Sequence, residues 1–127
     1  MSKRHIDIDK AGPTVADVMM PEPHTNSADE PIAAAREKLA KSSVKLLVVV
    51  DGERFAGTVA RDDLPAEDGD GTLAAIARAD GPRLRPDDPV EAALALHRDG
   101  AERIPVVEDG VLRGLVCLNS GADYFCA

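Results

Sequence analysis

The sequence predicts a mixed α/β (α+β) protein built from two copies of one unit, each with the element order β-α-β-β-α. The first observation is an internal repeat, because blocks of sequence recur after 58 residues. The second is that each copy joins a capped helix to a β-hairpin. The third is the composition of the 127 residues, with 20 alanines, no tryptophan and three aromatic side chains. This composition predicts a core of aliphatic side chains and closely packed alanines rather than rings.

The repeat comprises four blocks that keep their order along the chain. In the first copy they are residues 14–18, 29–35, 48–52 and 57–59, and in the second copy residues 72–76, 87–93, 106–110 and 114–116, after a one-residue deletion in the hairpin turn. Chance similarity between alanine-rich helices would explain one block but not four in register. We therefore predict an N-terminal tail at 1–13, repeat 1 at 14–66, an acidic linker at 67–71 and repeat 2 at 72–127.

Each copy is predicted to begin with a short helix and a brief extended segment. The helices are expected at 14–19 and 72–78, and the extended segments near 24–26 and 83–85. A longer helix follows, with apolar residues at helical spacing. In the second copy Asp88 is the predicted N-cap, Pro89 the first helical residue and Glu91 the third. Glu30 and Pro31 form a weaker version of the same start signal in the first copy.

A β-hairpin is predicted after the long helix of each copy, because Asp-Gly stands between two apolar runs. The strands and turns are expected at Leu46–Val50, Asp51-Gly52 and Phe55–Ala60, and at Ile104–Glu108, Asp109-Gly110 and Val111–Cys117. A last short helix is expected to close each copy.

Charge and composition exclude several functional classes. The chain has 15 Lys and Arg against 23 Asp and Glu, and this net charge of −8 argues against binding a nucleic-acid polymer. The longest aliphatic run, Leu46–Val50, is too short to span a membrane, and residues 1–10 lack the apolar stretch of a secretory signal. Residues 61–70 are acidic but lack the alternation of a calcium loop. Cys117 and Cys126 are expected to be reduced cysteines of a cytoplasmic protein.

The doubled pattern resembles a tandem pair of cystathionine-β-synthase (CBS) domains, the arrangement called a Bateman module. Three motifs carry the resemblance over residues 14–125. They are the Asp-x-Pro-Val-x-x-Ala helix start (Asp29–Ala35, Asp87–Ala93), the Val-Val-x-Asp-Gly hairpin (Val48–Gly52, Val106–Gly110) and the Gly-x-x-(Thr/Ser)-x-x-Asp ending that begins at Gly57 and Gly114.

The resemblance implies two repeats packed sheet to sheet with pseudo-twofold symmetry. It also implies two clefts between the repeats that take adenosine-containing ligands, dimerisation through the helices, and a regulatory rather than catalytic role. In the family, the glycine lets the strand pass close to the ligand, and the hydroxyl and the carboxylate hold phosphate and ribose. A carboxylate suits a ribose because it accepts two hydroxyl donors.

The ending of the first copy keeps part of this motif. Gly57 and Asp63 match it, whereas Ala60 stands where the family has Thr or Ser. Asp63 is the predicted ribose-binding residue, with an exposed or helix-capping acid as the alternative. Arg61 places a charge nearby, although an ordinary surface role is as consistent with the pattern.

The ending of the second copy departs further from the motif. Gly114 is kept, but Cys117 occupies the Thr/Ser position and Ser120 the Asp position. Because a charge-assisted hydrogen bond contributes about 1.5–3 kcal/mol, we expect the second cleft to bind ribose ligands weakly or not at all. Any nucleotide should prefer the cleft that holds Asp63.

The resemblance also implies cations for the phosphate in front of the hairpin, where this sequence has Lys45 and Arg103. His24 precedes the first extended segment and is a candidate for stacking or hydrogen bonding with the base. The acidic surface disfavours highly charged ligands, so AMP, ADP, NAD or an S-adenosylmethionine-type ligand is expected rather than ATP. No cofactor is required and no catalytic or metal-ligating cluster is recognisable.

Two functional hypotheses remain open. In the first, the chain is a stand-alone regulator that senses an adenosine-containing ligand in one inter-repeat cleft and signals to a separate partner protein. In the second, it is a ligand-free interaction module with decayed nucleotide sites, since of the four Thr/Ser and Asp positions only Asp63 survives.

Overall fold

The computed structural model describes residues 5–7, 12–67, 69–118 and 124–126. The chain divides into two compact units. We call His24–Gly81 the central unit, and Met1–Pro23 together with Pro82–Ala127 the split unit. Both are mixed α+β structures, so the predicted fold class is confirmed.

The described residues of the central unit form three strands and two helices. Its elements are strand β2 (Asn26–Ser27), helix α1 (Ile32–Leu39), strands β3 (Leu47–Asp51) and β4 (Arg54–Val59), a 3-10 turn at Arg61–Asp63, and helix α2 (Leu73–Ile76). Strand β3 pairs with β4 in the antiparallel sense and with β2 in the parallel sense. Helix α1 turns Ile32, Ala35 and Leu39 inwards, which is the apolar stripe expected of an amphipathic helix.

The split unit has a four-stranded antiparallel sheet in the order β1-β7-β6-β5. Its elements are strand β1 (His5–Asp7), a 3-10 turn at Val15–Asp17, helix α3 (Val90–Arg98), and strands β5 (Arg103–Glu108), β6 (Val111–Leu118) and β7 (Tyr124–Cys126). Part of the predicted tail at 1–13 is therefore a strand of this sheet.

Each compact unit combines the long helix and hairpin of one sequence copy with the first residues of the other copy. We call these first residues, 14–20 and 72–78, the leading segments. In the split unit the backbone of Met20 and Leu115 exchanges two hydrogen bonds, of 2.8 and 3.0 Å. In the central unit Arg78 and Thr58 do the same, at 2.9 and 3.0 Å. The sequence copies predicted at 14–66 and 72–127 are thus a different division of the chain from the compact units.

The two units have separate hydrophobic cores. The central core consists of Ala35, Leu39, Leu47, Val49, Val59 and Leu73. The core of the split unit consists of Val15, Val18, Leu84, Val90, Ala93, Ile104, Val106, Val116, Leu118 and Phe125. The expected aliphatic core is found in the central unit. In the split unit the expectation of a core without rings is wrong, because the side chain of Phe125 is completely buried.

The helix starts differ from the prediction by one residue. Pro89 is the N-cap of α3, and Pro31 is the N-cap of α1. The predicted cap, Asp88, instead accepts a hydrogen bond from the backbone N–H of Arg85 at 2.8 Å. The carboxylate therefore closes the turn in front of the helix, because an aspartate three residues after a backbone N–H is well placed to cap it.

The two hairpins have the same construction but not the predicted alignment. The second turn is Asp109-Gly110, as predicted, and both residues have positive φ, 53° and 79°, as a type I′ turn requires. The first turn was predicted at Asp51-Gly52, whereas Asp51 still pairs with Arg54 in the sheet. Gly52 and Glu53 therefore form this turn.

The one-residue deletion between the copies lies before the hairpin rather than in its turn. Helices α1 and α3 begin 58 residues apart, at 32 and 90. The strand residues that face the two glycines are only 57 apart, because Val49 faces Gly57 and Val106 faces Gly114. Both pairs adjoin a β-bulge. The deletion thus falls between helix and strand, where a loop tolerates it.

The last predicted helix is a single 3-10 turn at Arg61–Asp63 in the first copy. In the second copy, residues 119–123 lie outside the described part of the chain, and strand β7 follows at Tyr124–Cys126.

A short polar cap begins the leading segment of the split unit. Asp17 accepts hydrogen bonds from the backbone N–H of Thr14 at 3.0 Å and from its hydroxyl at 2.9 Å. The backbone bond, followed by the hydroxyl bond, holds the pKa of Asp17 below its ordinary value, because both stabilise the ionised carboxylate.

Candidate ligand-binding site around Asp63

Gly57 lies where the backbone of strand β4 meets the chain at Arg78. Its φ is +137°, and a Cβ built on it would lie 2.8 Å from the carbonyl carbon and oxygen of Arg78. A larger residue at this position would be strained and would collide with backbone. In this structure the glycine therefore accommodates another segment of the same unit.

Asp63 ends the 3-10 turn that follows strand β4, and both of its carboxylate oxygens are engaged. Oδ2 accepts a hydrogen bond from the backbone N–H of Ala60 at 2.9 Å. Oδ1 lies 2.6 Å from Nε of Arg78. The Asp63 side chain is only 10% exposed, whereas that of Arg78 is 69% exposed. The carboxylate of Asp63 is thus a nearly buried anion, and its cationic partner, Arg78, has a long side chain that is mostly exposed at the surface.

Arg61 binds the end of helix α1. Its Nε donates to the carbonyl of Leu39 at 2.6 Å, and a terminal nitrogen donates to the carbonyls of Lys41 and Val44 at 2.7 and 2.9 Å. Leu39 is in the last turn of the helix, where carbonyls lack an intrahelical donor, and Lys41 and Val44 belong to the loop that follows it. The contacts give Arg61 a structural role and leave the cation beside Asp63 to Arg78.

The corresponding position of the second copy has the same backbone plan but different chemistry. A Cβ on Gly114 would lie 2.5 Å from the carbonyl oxygen of Met20 and 2.7 Å from the sulfur of Met19. Cys117, in the Thr/Ser position, is buried with 6% exposure. Ser120 lies outside the described residues. Met19 thus fills space beside Gly114, which suits a flexible apolar side chain.

The remaining predicted residues are spread over both units. Lys45 is exposed in front of strand β3, and His24 is exposed at the start of the central unit. Arg103 is the first residue of β5, where it stands opposite Cys117 in the antiparallel register. Within the central unit the structure brings Gly57, Ala60 and Asp63 into one neighbourhood.

Two surface cavities in the central unit lie away from the predicted residues. One, of about 230 Å³, is lined by Ser27, Ala28, Asp29, Asp51, Thr72 and Ala74. The other, of about 570 Å³, follows helix α1 along Ala33, Ala34, Arg36, Glu37 and Ala40. None of the predicted binding residues lines either cavity.

Sequence reasoning missed Arg78 and a buried polar network beside strand β2. Asn26 is 3% exposed; its amide donates to the carbonyl of Val48, and its oxygen accepts from Nζ of Lys38 at 2.7 Å. Lys38 also pairs with Glu30. The repeat could have pointed to Arg78. This residue follows Met20 by 58 positions and so ends the second leading segment as Met20 ends the first.

The described residues contain neither a metal-binding cluster nor a membrane-spanning helix. No group of three or more His, Cys, Asp or Glu side chains among them could hold a metal ion. No helix in the same part of the chain has the length and hydropathy needed to cross a membrane.

The first copy of the repeat matches a known family model. Residues 15–65 match the family model of the CBS domain. The structure is similar to that of the CBS-pair protein CBSX2 from Arabidopsis thaliana, with a TM-score of 0.70 and 25% identity over 88% of this chain and 92% of that one. A structure of CBSX2 in complex with AMP gives a TM-score of 0.69 and 27% identity over 84% of this chain and 90% of that one.

A third similar structure is the cytosolic domain of the Mg²⁺ channel MgtE in complex with ATP, with a TM-score of 0.67 and 24% identity over 83% of this chain and 46% of that one. The comparison with curated proteins finds no match. CBS-pair proteins are generally regulatory, non-catalytic modules. The match of the first copy and the similarity of the fold to CBS-pair structures together support a tandem CBS-domain pair, or Bateman module.

Proposed function

We propose that this CBS pair senses an adenosine-containing ligand through Asp63 and transmits its occupancy to a separate protein. The observation that carries the proposal is the nearly buried carboxylate of Asp63, which lies 2.6 Å from the cation of Arg78, the residue whose close approach to strand β4 is permitted by Gly57. A carboxylate is suited to a ribose because it accepts hydrogen bonds from hydroxyl groups. The AMP complex of the similar protein CBSX2 supports a ligand of this class.

The proposal assigns the ligand to the first copy of the motif. Asp63 would hold the ribose, and AMP, ADP, NAD or S-adenosylmethionine are the candidate ligands. The second copy supplies a buried thiol, Cys117, in place of a hydroxyl, and a thiol is a weaker hydrogen-bonding group. We therefore propose that each chain has one nucleotide-binding site, at Asp63, and that the second copy binds such ligands weakly or not at all.

The experiment compares ligand binding to the wild-type protein and to Asp63→Asn. The asparagine keeps an oxygen that can accept from Ala60 but loses the charge. We expect at least one of the four ligands to raise the unfolding temperature, because a ligand at 100 times its Kd adds about 2.7 kcal/mol to the free energy of unfolding. The variant is expected to bind that ligand about tenfold more weakly, as measured by calorimetry.

Asp62→Asn is the matched control, because Asp62 is an exposed neighbour with the same charge. It should leave the affinity unchanged. Retention of full affinity by Asp63→Asn would show that the ribose is held elsewhere. If no ligand shifts the unfolding of the wild-type protein, the sensor proposal is wrong.

A ligand-free interaction module is the second candidate function. Both oxygens of Asp63 are already bonded within the chain, to Ala60 and Arg78, and this arrangement also suits a carboxylate with a purely structural role. The same thermal scans decide between the two candidates.

For either function we propose a cytoplasmic homodimer that associates through its helices. Helix α1 presents Ala33 and Ala40 to solvent beside the larger cavity, and small exposed residues allow a second helix to approach closely. Sedimentation equilibrium should give a mass near twice the 13.4 kDa of the chain. A monomer at micromolar concentration would contradict this proposal.

A further inference from the structure

The contact between Arg78 and Asp63 has a consequence for ligand choice. The Nε of Arg78 lies 2.6 Å from Oδ1 of Asp63, and the remainder of this side chain is largely in solvent. The guanidinium carries five N–H donors. One of them engages the carboxylate in this ion pair, and the exposure of the side chain leaves other donors open to a ligand.

The backbone keeps Arg78 at this place whatever its side chain does. Its N–H donates to the carbonyl of Thr58 at 2.9 Å, and its carbonyl accepts from the N–H of Thr58 at 3.0 Å. The absence of a side chain at Gly57 permits this close approach. The side chain is therefore the adjustable part, since its rotation breaks neither backbone bond.

A nucleoside and a nucleotide make different demands on this pair. The hydroxyls of a ribose compete with the guanidinium for Oδ1 of Asp63, because Oδ2 already accepts the N–H of Ala60. A nucleoside that displaces Arg78 leaves the cation without an anionic partner. A nucleotide supplies one, because a guanidinium binds the oxygens of a phosphate with charge-assisted, often bidentate hydrogen bonds.

The charge balance points the same way. Asp63 without Arg78 is an anion in a chain of net charge −8, and such a site repels a phosphate. With Arg78 beside Asp63, the net charge of the pair is zero before binding. The ligand's phosphate can then contact the cation of Arg78 while its ribose contacts the carboxylate of Asp63.

We propose that Arg78 exchanges Asp63 for a phosphate of the ligand when the ribose binds, and that this exchange makes the site select a nucleoside phosphate over the bare nucleoside. The inference rests on the proposed function, in which Asp63 accepts the ribose hydroxyls. It adds a specificity-determining residue that the sequence motif does not contain.

The test measures the Kd of adenosine and of AMP by calorimetry for the wild-type protein and for Arg78→Gln. The quantity of interest is the ratio of the two constants, Kd for adenosine over Kd for AMP. We expect this ratio to fall about tenfold in Arg78→Gln, because one charge-assisted bond to phosphate is lost and a competitor of the ribose is removed. Arg54→Gln is the matched control, because Arg54 is an exposed arginine of the same unit, and it should keep the wild-type ratio.

The outcomes separate this inference from the proposed function. An unchanged ratio in Arg78→Gln, with AMP still bound, overturns the exchange and leaves the sensor proposal standing. The absence of binding of either compound to the wild-type protein, with no response to the other adenosine ligands, overturns both. Arg78→Lys keeps a cation without the planar fork and should give an intermediate ratio. A ratio as low as that of Arg78→Gln would contradict the role of the charge.

Discussion

Phe125→Ala is expected to lower the free energy of unfolding by about 3–5 kcal/mol. Phe125 is one of the largest completely buried side chains, and it lies in the core of the split unit. Its removal leaves a cavity among valines and leucines that cannot collapse without moving strands. Because small domains are stable by only about 5–15 kcal/mol, this one change should remove a large part of the total. Urea unfolding followed by circular dichroism gives the value.

Phe55→Ala is the control for Phe125→Ala. Phe55 is half-buried in strand β4 and belongs to the central unit. It should cost about 1 kcal/mol, since a side chain that already contacts water loses less on truncation. Equal losses for the two variants would show that the ring of Phe125 contributes no special packing to the split unit.

Gly57→Ala is expected to lower the free energy of unfolding by about 3 kcal/mol, through backbone strain and steric collision together. The backbone at Gly57 has a φ of +137°, and the new methyl group would lie 2.8 Å from backbone atoms of Arg78. Relief requires the 77–78 segment to move away from strand β4, which breaks its bonds to Thr58. The same urea titration measures the loss, and amide hydrogen exchange at Arg78 should become faster.

Gly81→Ala is the matched control for Gly57→Ala, because nothing lies within 4 Å of a Cβ placed there. It should be nearly neutral. A Gly57→Ala variant as stable as Gly81→Ala would show that the contact with Arg78 gives way at no cost.

The repeat, the long helices and the hairpins could be predicted from the sequence because their signals are local. Turn residues such as Asp109-Gly110 and the spacing of apolar residues in α1 act within a few positions. Local signals do not determine the alignment of the two copies. A deletion of one residue before a run of valines shifts the apparent match without changing its quality, so Val48 and Val49 both aligned plausibly with Val106.

The exchange of leading segments could not be predicted in the same way. A short segment such as 14–20 carries its own helical tendency but no information on which sheet edge will accept its backbone hydrogen bonds. The candidate site shows the same limit. Asp63 was identified from a resemblance, yet its partner Arg78 belongs to no motif and is brought to it by the pairing with Thr58. The hydrogen bond from the N–H of Ala60 to Asp63 could have been predicted from their three-residue spacing, because Thr14 and Asp17 have the same spacing and the same bond.

The exchange of leading segments also sets an order of events during synthesis. The central unit is one continuous stretch, His24–Gly81, and all of it is synthesised before the helix and hairpin of the split unit. Residues 12–23 are made before the central unit, but their backbone hydrogen-bond partners, at residues 86–90 and at Leu115, are translated after it. This segment can thus pair only after the central unit has been synthesised, although it precedes that unit in the chain.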